Sequence, residues 1–327
     1  MQLVPLASEK LFDVIVIACP GQGSQTPGFL TDWIADSASR SFLEAASEAS
    51  GVDLVRHGTQ SDAETIRATE IAQPLIVAAA ILSWRALAAR LDGAGLDATT
   101  LGATVGTAGH SVGEFAAAAI SGVVSETDAV RLVGVRGRAM AEAAAVEQTG
   151  MSAVVGGVEA DVLSAIEAAG LTAANRNGGG QIVAAGALAG LAKLGESAPR
   201  GARVIPLQVA GAFHTSYMAS AVPVLAQAAE STAVSDPSLK LWSNADGGLV
   251  TSGASFRDSL VSQIASPVRW DSCMESFQAA GITGFIELTP AGALTGIAKR
   301  GMKGIPSVAV KTPADLDAAV QLITDAA

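Results

Sequence analysis

The chain has 327 residues, half of them apolar and 16% charged, with a net charge of −11. That composition supplies a large buried interior and excludes a disordered chain. The acidic balance leaves no basic stripe for nucleic-acid phosphates, so no nucleic acid is expected as a partner. Cys19 and Cys273 are two isolated thiols, which fit a reducing cytoplasm better than a disulfide framework, and the length has room for about two domains.

Residues 1–10 carry Pro5 and Glu9, and the apolar run after Asp13 is short, so no secretory signal is expected. Residues 12–18 are continuous and β-branched, which predicts a buried strand. They lead into the turn-rich Pro20-Gly21-Gln22-Gly23-Ser24-Gln25. Helical patterns follow over 37–50 and 71–91. The second contains Gln73-Pro74, Arg85 and Arg90, so it reads as a buried helix rather than a membrane span, which needs about 20 predominantly apolar residues. Residues 104–108 form another apolar run, followed by Gly109-His110-Ser111-Val112-Gly113-Glu114 and a helix to residue 120. A long helix over 128–145 carries Arg131, Arg136 and Arg138.

The character changes near residue 150. Strands are expected over 151–155, 171–174, 181–185 and 203–209, with helices over 159–169 and 188–197. Val158, Val162 and Ile166 recur at four-residue spacing along the first of these helices. The tight Asn175-Arg176-Asn177-Gly178-Gly179-Gly180 connection joins the two middle strands. This β-α-β-β-α-β order is that of a ferredoxin-like unit. Beyond it come strands over 239–243, 285–288 and 307–311, and helices over 255–264, 270–280, 294–303 and from 315. The expected class is therefore α/β: a large α/β-hydrolase-like domain with a mostly parallel sheet (1–148 and 208–327), and a small ferredoxin-like domain (149–207) inserted in it.

The elbow at Ser111 carries the strongest chemical signal. A strand, a sharp glycine-flanked turn and a helix push a serine hydroxyl out at the apex, where it can attack a carbonyl. The competing reading is a chance G-x-S-x-G in a chain with 35 glycines. A free hydroxyl is too weakly acidic to react unaided, so a base is required. Of His57, His110 and His214, the first sits in an expected surface turn and the second is adjacent to the serine. His214 remains as the base by elimination, against the alternative of a histidine satisfied in the core. Val112 N–H and the Gly21-Gln22-Gly23 loop can donate to an oxyanion, unless that loop is an ordinary turn. Arg136 has apolar neighbours, Leu132, Val133, Val135 and Met140, and can clamp a carboxylate through two parallel hydrogen bonds. A solvated helix face, as suits Arg131 and Arg138, is the bland alternative. Gly21 and Gly23 lack the third glycine of a dinucleotide fingerprint, and the histidines and cysteines have no metal-ligand spacing, so no metal and no cofactor are expected.

Together these residues closely resemble the malonyl-CoA:acyl carrier protein transacylases of fatty-acid synthesis and the related acyltransferase domains of polyketide synthases. The resemblance runs from about residue 14 to the end. It is carried by Pro20–Gln25, Ala72-Gln73-Pro74, Gly109–Glu114, Val135-Arg136-Gly137, Asn175-Arg176-Asn177-Gly178, Gly211-Ala212-Phe213-His214 and Gln263-Ile264-Ala265-Ser266-Pro267-Val268. It implies Ser111 as nucleophile, His214 as base, and Gln263 orienting His214 through its backbone carbonyl. It further implies Gln22 and Val112 as oxyanion donors, Arg136 as the malonyl carboxylate ligand, and Phe213, Asn175 and Asn177 as substrate-binding residues, Phe213 crowding an α-methyl branch. The implied substrates are malonyl-CoA and the thiol of holo acyl carrier protein. An acidic carrier would dock near Lys299, Arg300 and Lys303 with Arg176, Arg200 or Arg203. Thr289-Pro290-Ala291-Gly292 departs from the family's Gly-Pro-Gly, and about ten N-terminal residues are extra. The rivals are a serine hydrolase, with Asp246 or Asp271 as its acid, and a non-catalytic acyl-chain or carrier-protein binding module.

Overall fold

The computed structural model describes residues 14–327; Phe12, Asp13 and the N-terminal extension lie outside the described residues. Strand β1 (Val14–Cys19) is buried along its whole length. Its side chains alternate between two cores: Ile15, Ile17 and Cys19 face one, and Val14, Val16 and Ala18 the other. That two-sided burial is why the strand reads as a continuous apolar run instead of an alternating one. Helix α1 (Ser37–Ser50) starts where the Asp36 side chain accepts from Ser39 N and stops at Gly51, whose φ of 73° an L side chain resists. Helices α2 (Leu54–Thr59), α3 (Thr69–Gly93) and α4 (Ala98–Thr104) follow. Helix α3 is long and apolar enough to cross a membrane, but 72% of its apolar window is buried inside the protein. It packs against α6 (Glu126–Val146), after β2 (Val105–Gly109) and the short α5 (Gly113–Ile120) have passed between them in the chain.

A second sheet comes next, from β3 (Thr149–Gly156), α7 (Glu159–Ala168), β4 (Thr172–Gly178), β5 (Gln181–Ala187), α8 (Leu188–Glu196) and β6 (Ala202–Pro206). Its four strands are antiparallel in the order β6-β3-β5-β4. Asn175, Arg176, Asn177 and Gly178 belong to β4 rather than to the connection. The turn itself is only Gly179-Gly180, at φ of 55° and 73°. Val162 and Ile166 enter the small core as their spacing predicts. Val158, at the helix's N-terminal boundary, is instead 62% exposed.

The chain returns through α9 (Ala221–Glu230), β7 (Lys240–Trp242), α10 (Gly253–Ser262), β8 (Val268–Arg269), α11 (Trp270–Ala279), β9 (Ile282–Glu287), α12 (Ala293–Gly301), β10 (Ser307–Ala309) and α13 (Leu316–Thr324). Five strands form a wholly parallel sheet in the order β10-β9-β1-β2-β7. Strand β8 joins the other sheet by pairing parallel with β4. The expected mostly parallel α/β arrangement is present. Three helices, α2, α4 and α9, and the two-residue β8 are not among the elements expected from the sequence; α2, α4 and β8 are too short for an apolar period to show. His57 lies on α2 and bonds Ser61 Oγ at 2.9 Å, instead of occupying a surface turn.

At the centre, β2 ends at Gly109 and α5 starts at Gly113, leaving three residues to reverse the chain. A Cβ on Gly113 would stand 2.2 Å from the Cys19 carbonyl oxygen, far inside van der Waals contact. Gly113→Ala is therefore expected to destabilise the fold by about 1–3 kcal/mol or more, read as a lower denaturation midpoint.

Candidate active site

The sharp turn holds Ser111 at φ 52°. His214 adopts φ 61°, and these are the two positive-φ residues other than glycine among the described residues. Such a conformation is rare for a side-chain-bearing residue and persists only where its surroundings enforce it. Asn244 does so for the turn: its Oδ1 accepts from Ser111 N at 2.7 Å and its Nδ2 donates to Gly109 O at 2.7 Å. His110 N also donates to Cys19 O, tying the turn to β1.

Ser111 Oγ lies 2.6 Å from His214 Nε2. His214 Nδ1 lies 2.8 Å from the Gln263 carbonyl oxygen. A carbonyl can only accept, so Nδ1 carries the proton and Nε2 is left free to take one from the serine. Burial, reinforced by the nearby Arg136 charge, pulls the imidazole down to about 3. His214 is thus neutral across the physiological range. The two carboxylates of the hydrolase alternative are engaged elsewhere: exposed Asp246 accepts from Gly248 N, and Asp271 pairs with Arg269 and Arg176.

Arg136 is 1% exposed. Its Nη1 donates to Gln73 Oε1 at 2.6 Å and its Nη2 to Gln263 Oε1 at 2.9 Å, while Nε has no partner. Among the described residues no carboxylate comes within ion-pair distance of it, unlike Arg131, which pairs with Asp128. Arg138 spends a donor on Ser50 O. Burial lowers the Arg136 guanidinium to about 9, with the Glu114 charge opposing, and it stays a cation at neutral pH. Glu114, also 1% exposed, accepts from Asn244 N at 2.6 Å and from Gln263 Nε2, and burial pushes its carboxyl up to about 7.

These groups stand at the carboxyl ends of β1 and β2, the usual ligand position in an open parallel sheet. A cleft of about 240 Å³ opens there, shared with the antiparallel sheet. Gln22, Asn175, Asn177, Phe213, His214 and Ser111 all line it. Asn177 Oδ1 accepts from His110 Nε2 at 2.8 Å, which turns His110 away from the serine. The Gln22 and Val112 amides have no protein acceptor among the described residues. Leu294 and Ile297 of α12 close one side. That helix is held at its start by buried Glu287, which accepts from Gly292, Leu294 and Thr295 amides. Thr289 is satisfied in its departure from Gly-Pro-Gly, its hydroxyl donating to Val310 O at 2.7 Å. On the outer part of α12, Lys299 and Arg300 are exposed, as is Lys303 just beyond its end. Arg176 is not a free cation, being paired with Glu159 and Asp271.

Three members of the site have no sequence signal as such. Asn244 is one of several polar residues just after a three-residue strand. Gln73 and Glu114 belong to recognisable motifs, but their contacts with the Arg136–Gln263 group depend on packing between α3, α5, α6 and the turn after α10.

Comparison with known proteins places this geometry. The acyl transferase domain family matches residues 16–318. The chain is 51% identical over 304 residues to the malonyl CoA-acyl carrier protein transacylase of Mycobacterium tuberculosis, covering 93% of this chain and 98% of that protein. It is 33% identical to the transacylase of the same name from Escherichia coli, covering 93% and 97%. The crystal structure of MCAT from M. tuberculosis superposes with a TM-score of 0.88 at 50% identity, covering 94% of this chain and 99% of that one. A structure of a type II PKS acyl-carrier protein with its malonyl-transacylase matches with a TM-score of 0.85 at 30% identity, covering 94% and 99%.

The depressed imidazole has a kinetic signature. A neutral acyl ester should acylate Ser111 at a rate constant that holds level from pH 8 to pH 5, because Nε2 is unprotonated throughout. An ordinary histidine of pKa about 6.5 would lose about 30-fold over that range. Stopped-flow release of the leaving group distinguishes the two.

Proposed function

The chain belongs to the acyl transferase domain family, and from that premise we propose that it moves a malonyl group from malonyl-CoA to the phosphopantetheine thiol of an acyl carrier protein, through an ester on Ser111. The observation that carries this reading is the 2.6 Å contact of Ser111 Oγ with His214 Nε2, whose Nδ1 faces the Gln263 carbonyl, beside a buried arginine with no carboxylate in ion-pair contact. In the first half-reaction His214 Nε2 takes the Ser111 proton as Oγ attacks the thioester carbonyl. Gln22 and Val112 amides, which lack other acceptors, stabilise the oxyanion. The proton passes to the departing CoA sulfur and a malonyl-serine ester remains. In the second half the carrier thiol gives its proton to His214 and its sulfur attacks the ester; the Oγ–acyl bond breaks, His214 returns the proton to Ser111 Oγ, and the carrier leaves as the malonyl thioester, predicting ping-pong kinetics. The guanidinium of Arg136 holds the malonyl carboxylate, Phe213 and Asn175 shape the cleft around the acyl group, and Asn177 acts through His110. No cofactor enters this scheme.

The same reading extends to architecture and setting. The order β6-β3-β5-β4 places the first and third strands of the 149–207 segment at the centre of its sheet, which supports a ferredoxin-like insertion. The strand-elbow-helix at the end of β2 supports an α/β-hydrolase-like body around it. Buried, unpaired Cys19 and Cys273 fit a reducing cytoplasm. The exposed cations of α12 lie on the helix that walls the cleft, which supports them as the contact for an acidic carrier. Arg176, already neutralised by two carboxylates, contributes least.

Three variants test the assignments. Ser111→Ala should abolish the malonyl adduct in intact-mass spectra. Arg136→Ala should lower malonyl transfer by about tenfold to a hundredfold, as expected for charge-assisted bonds of about 1.5–3 kcal/mol, and raise the acetyl-to-malonyl ratio. Lys299→Glu should raise the carrier-protein KM while leaving Ser111 malonylation by malonyl-CoA unchanged.

A further inference from the structure

Arg136 and Glu114 are buried alike, and Gln263 stands between them, its Oε1 accepting from Arg136 and its Nε2 donating to Glu114. In the unacylated site the guanidinium and this carboxylate sum to zero charge. A substrate carboxylate brought to Arg136 leaves the same dry cluster with one uncompensated negative charge. A buried unpaired charge neutralises itself by shifting a proton wherever a titratable group allows it.

Resting on the malonyl-transfer reading, we propose that Glu114 is a positioning residue that serves as the counter-charge of Arg136 in the unacylated enzyme and takes up one proton from solvent when a malonyl carboxylate occupies the guanidinium. The step is a protonation alone: a carboxylate oxygen forms an O–H bond with a proton supplied by hydronium or a buffer acid, and no electrons change hands. The proton leaves again when the malonyl group passes to the carrier thiol. The Ser243 hydroxyl faces the carboxyl and accepts from the O–H.

The titratable and charged groups that face Glu114 are Arg136 from α6 and Cys273 from α11. The thiol, raised well above its ordinary value by burial and by the Glu114 charge, stays neutral. The remaining neighbours, Gln263, Ser243 and the Asn244 amide, carry no charge. Burial raises the carboxyl to about 7 against the hydrogen bonds from the Asn244 amide, Gln263 and Ser243, to which the Arg136 charge adds a smaller pull in the same direction. Once a second carboxylate shares that guanidinium, the Arg136 contribution is divided and a like charge stands in the same dry cluster, so Glu114 holds its proton at higher pH. In the unacylated enzyme at pH 8 the carboxyl is mostly ionised, so the uptake on malonylation approaches one proton.

The test mixes the full chain with malonyl-CoA in a weakly buffered indicator solution at pH 8. Proton change is followed through the acylation burst, with intact mass measured in parallel. Exchange of a thioester for a serine ester with release of a thiol is itself proton-neutral, and an acetyl-CoA arm corrects for any thiol ionisation. The expected result is uptake of about one proton per malonyl-serine formed, none per acetyl-serine, and none with malonyl-CoA in Glu114→Gln. Glu114→Asp should restore it. The malonyl-to-acetyl difference is read on the native chain, so it stands even if a variant fails to fold. Malonyl-serine without proton uptake, or equal uptake from both donors, overturns the role of Glu114 and leaves malonyl transfer intact. Absence of malonyl-serine overturns the transfer reading itself.

Discussion

Gln263 presents polar groups in three directions, and the site depends on all of them at once. Its backbone carbonyl accepts from His214 Nδ1, its side-chain oxygen accepts from Arg136, and its side-chain nitrogen reaches both Glu114 and the Ser111 carbonyl oxygen at 3.1 Å. The residue is only 5% exposed, where an unmatched polar atom is expensive to leave without a partner. Each of its bonds therefore restrains the others. If Gln263 shifted to follow Arg136, the imidazole would lose its orienting carbonyl. The guanidinium proposed to hold substrate and the orientation of the imidazole are thus mechanically one unit, built from α5, α6 and the turn after α10.

That unit sits on a strained pair. Ser111 and His214 both occupy left-handed backbone, and both are held there by bonds to distant parts of the chain: Ser111 N to Asn244, and His214 N to the Ile264 carbonyl. The parallel sheet makes this affordable. Strand β1, buried on both faces, provides the Cys19 carbonyl that receives His110 N and that also forbids a side chain at Gly113. Rigid strands below and a tight helix start above leave the nucleophile one position.

Much of this was legible in the chain because the strongest constraints are local. The elbow is written in adjacent residues, since Gly109 answers to a clash with Gly113 and Glu114, while Gly113 answers to the Cys19 carbonyl of β1. Arg136 stands out as a cation among apolar neighbours on its own helix. The contacts of Asn244 and Glu114 were not legible, because they join residues about 130 positions apart. The hairpin turn is displaced for a different reason: Asn175 and Asn177 look like turn residues, yet they lie on β4 and line the cleft, and two glycines suffice for the turn itself. His57 shows the reverse, a turn-like Arg-His-Gly that tertiary packing winds into a helix.

Orienting the imidazole with a carbonyl rather than a carboxylate has a chemical consequence. A carboxylate would stabilise the imidazolium that forms when Nε2 takes a proton. Here the charge that acts on it most is the Arg136 cation, which disfavours it. In the proposed scheme the base is consequently weak, and proton transfer must accompany nucleophilic attack rather than precede it. A weak base also ranks the acceptors of the acyl-serine. A thiol near pKa 8.5 is about seven units more acidic than water at 15.7, so it surrenders its proton to such a base far more readily. The same feature that slows water activation leaves the ester available to a carrier thiol, which is what separates a transferase from a hydrolase built on the same elbow.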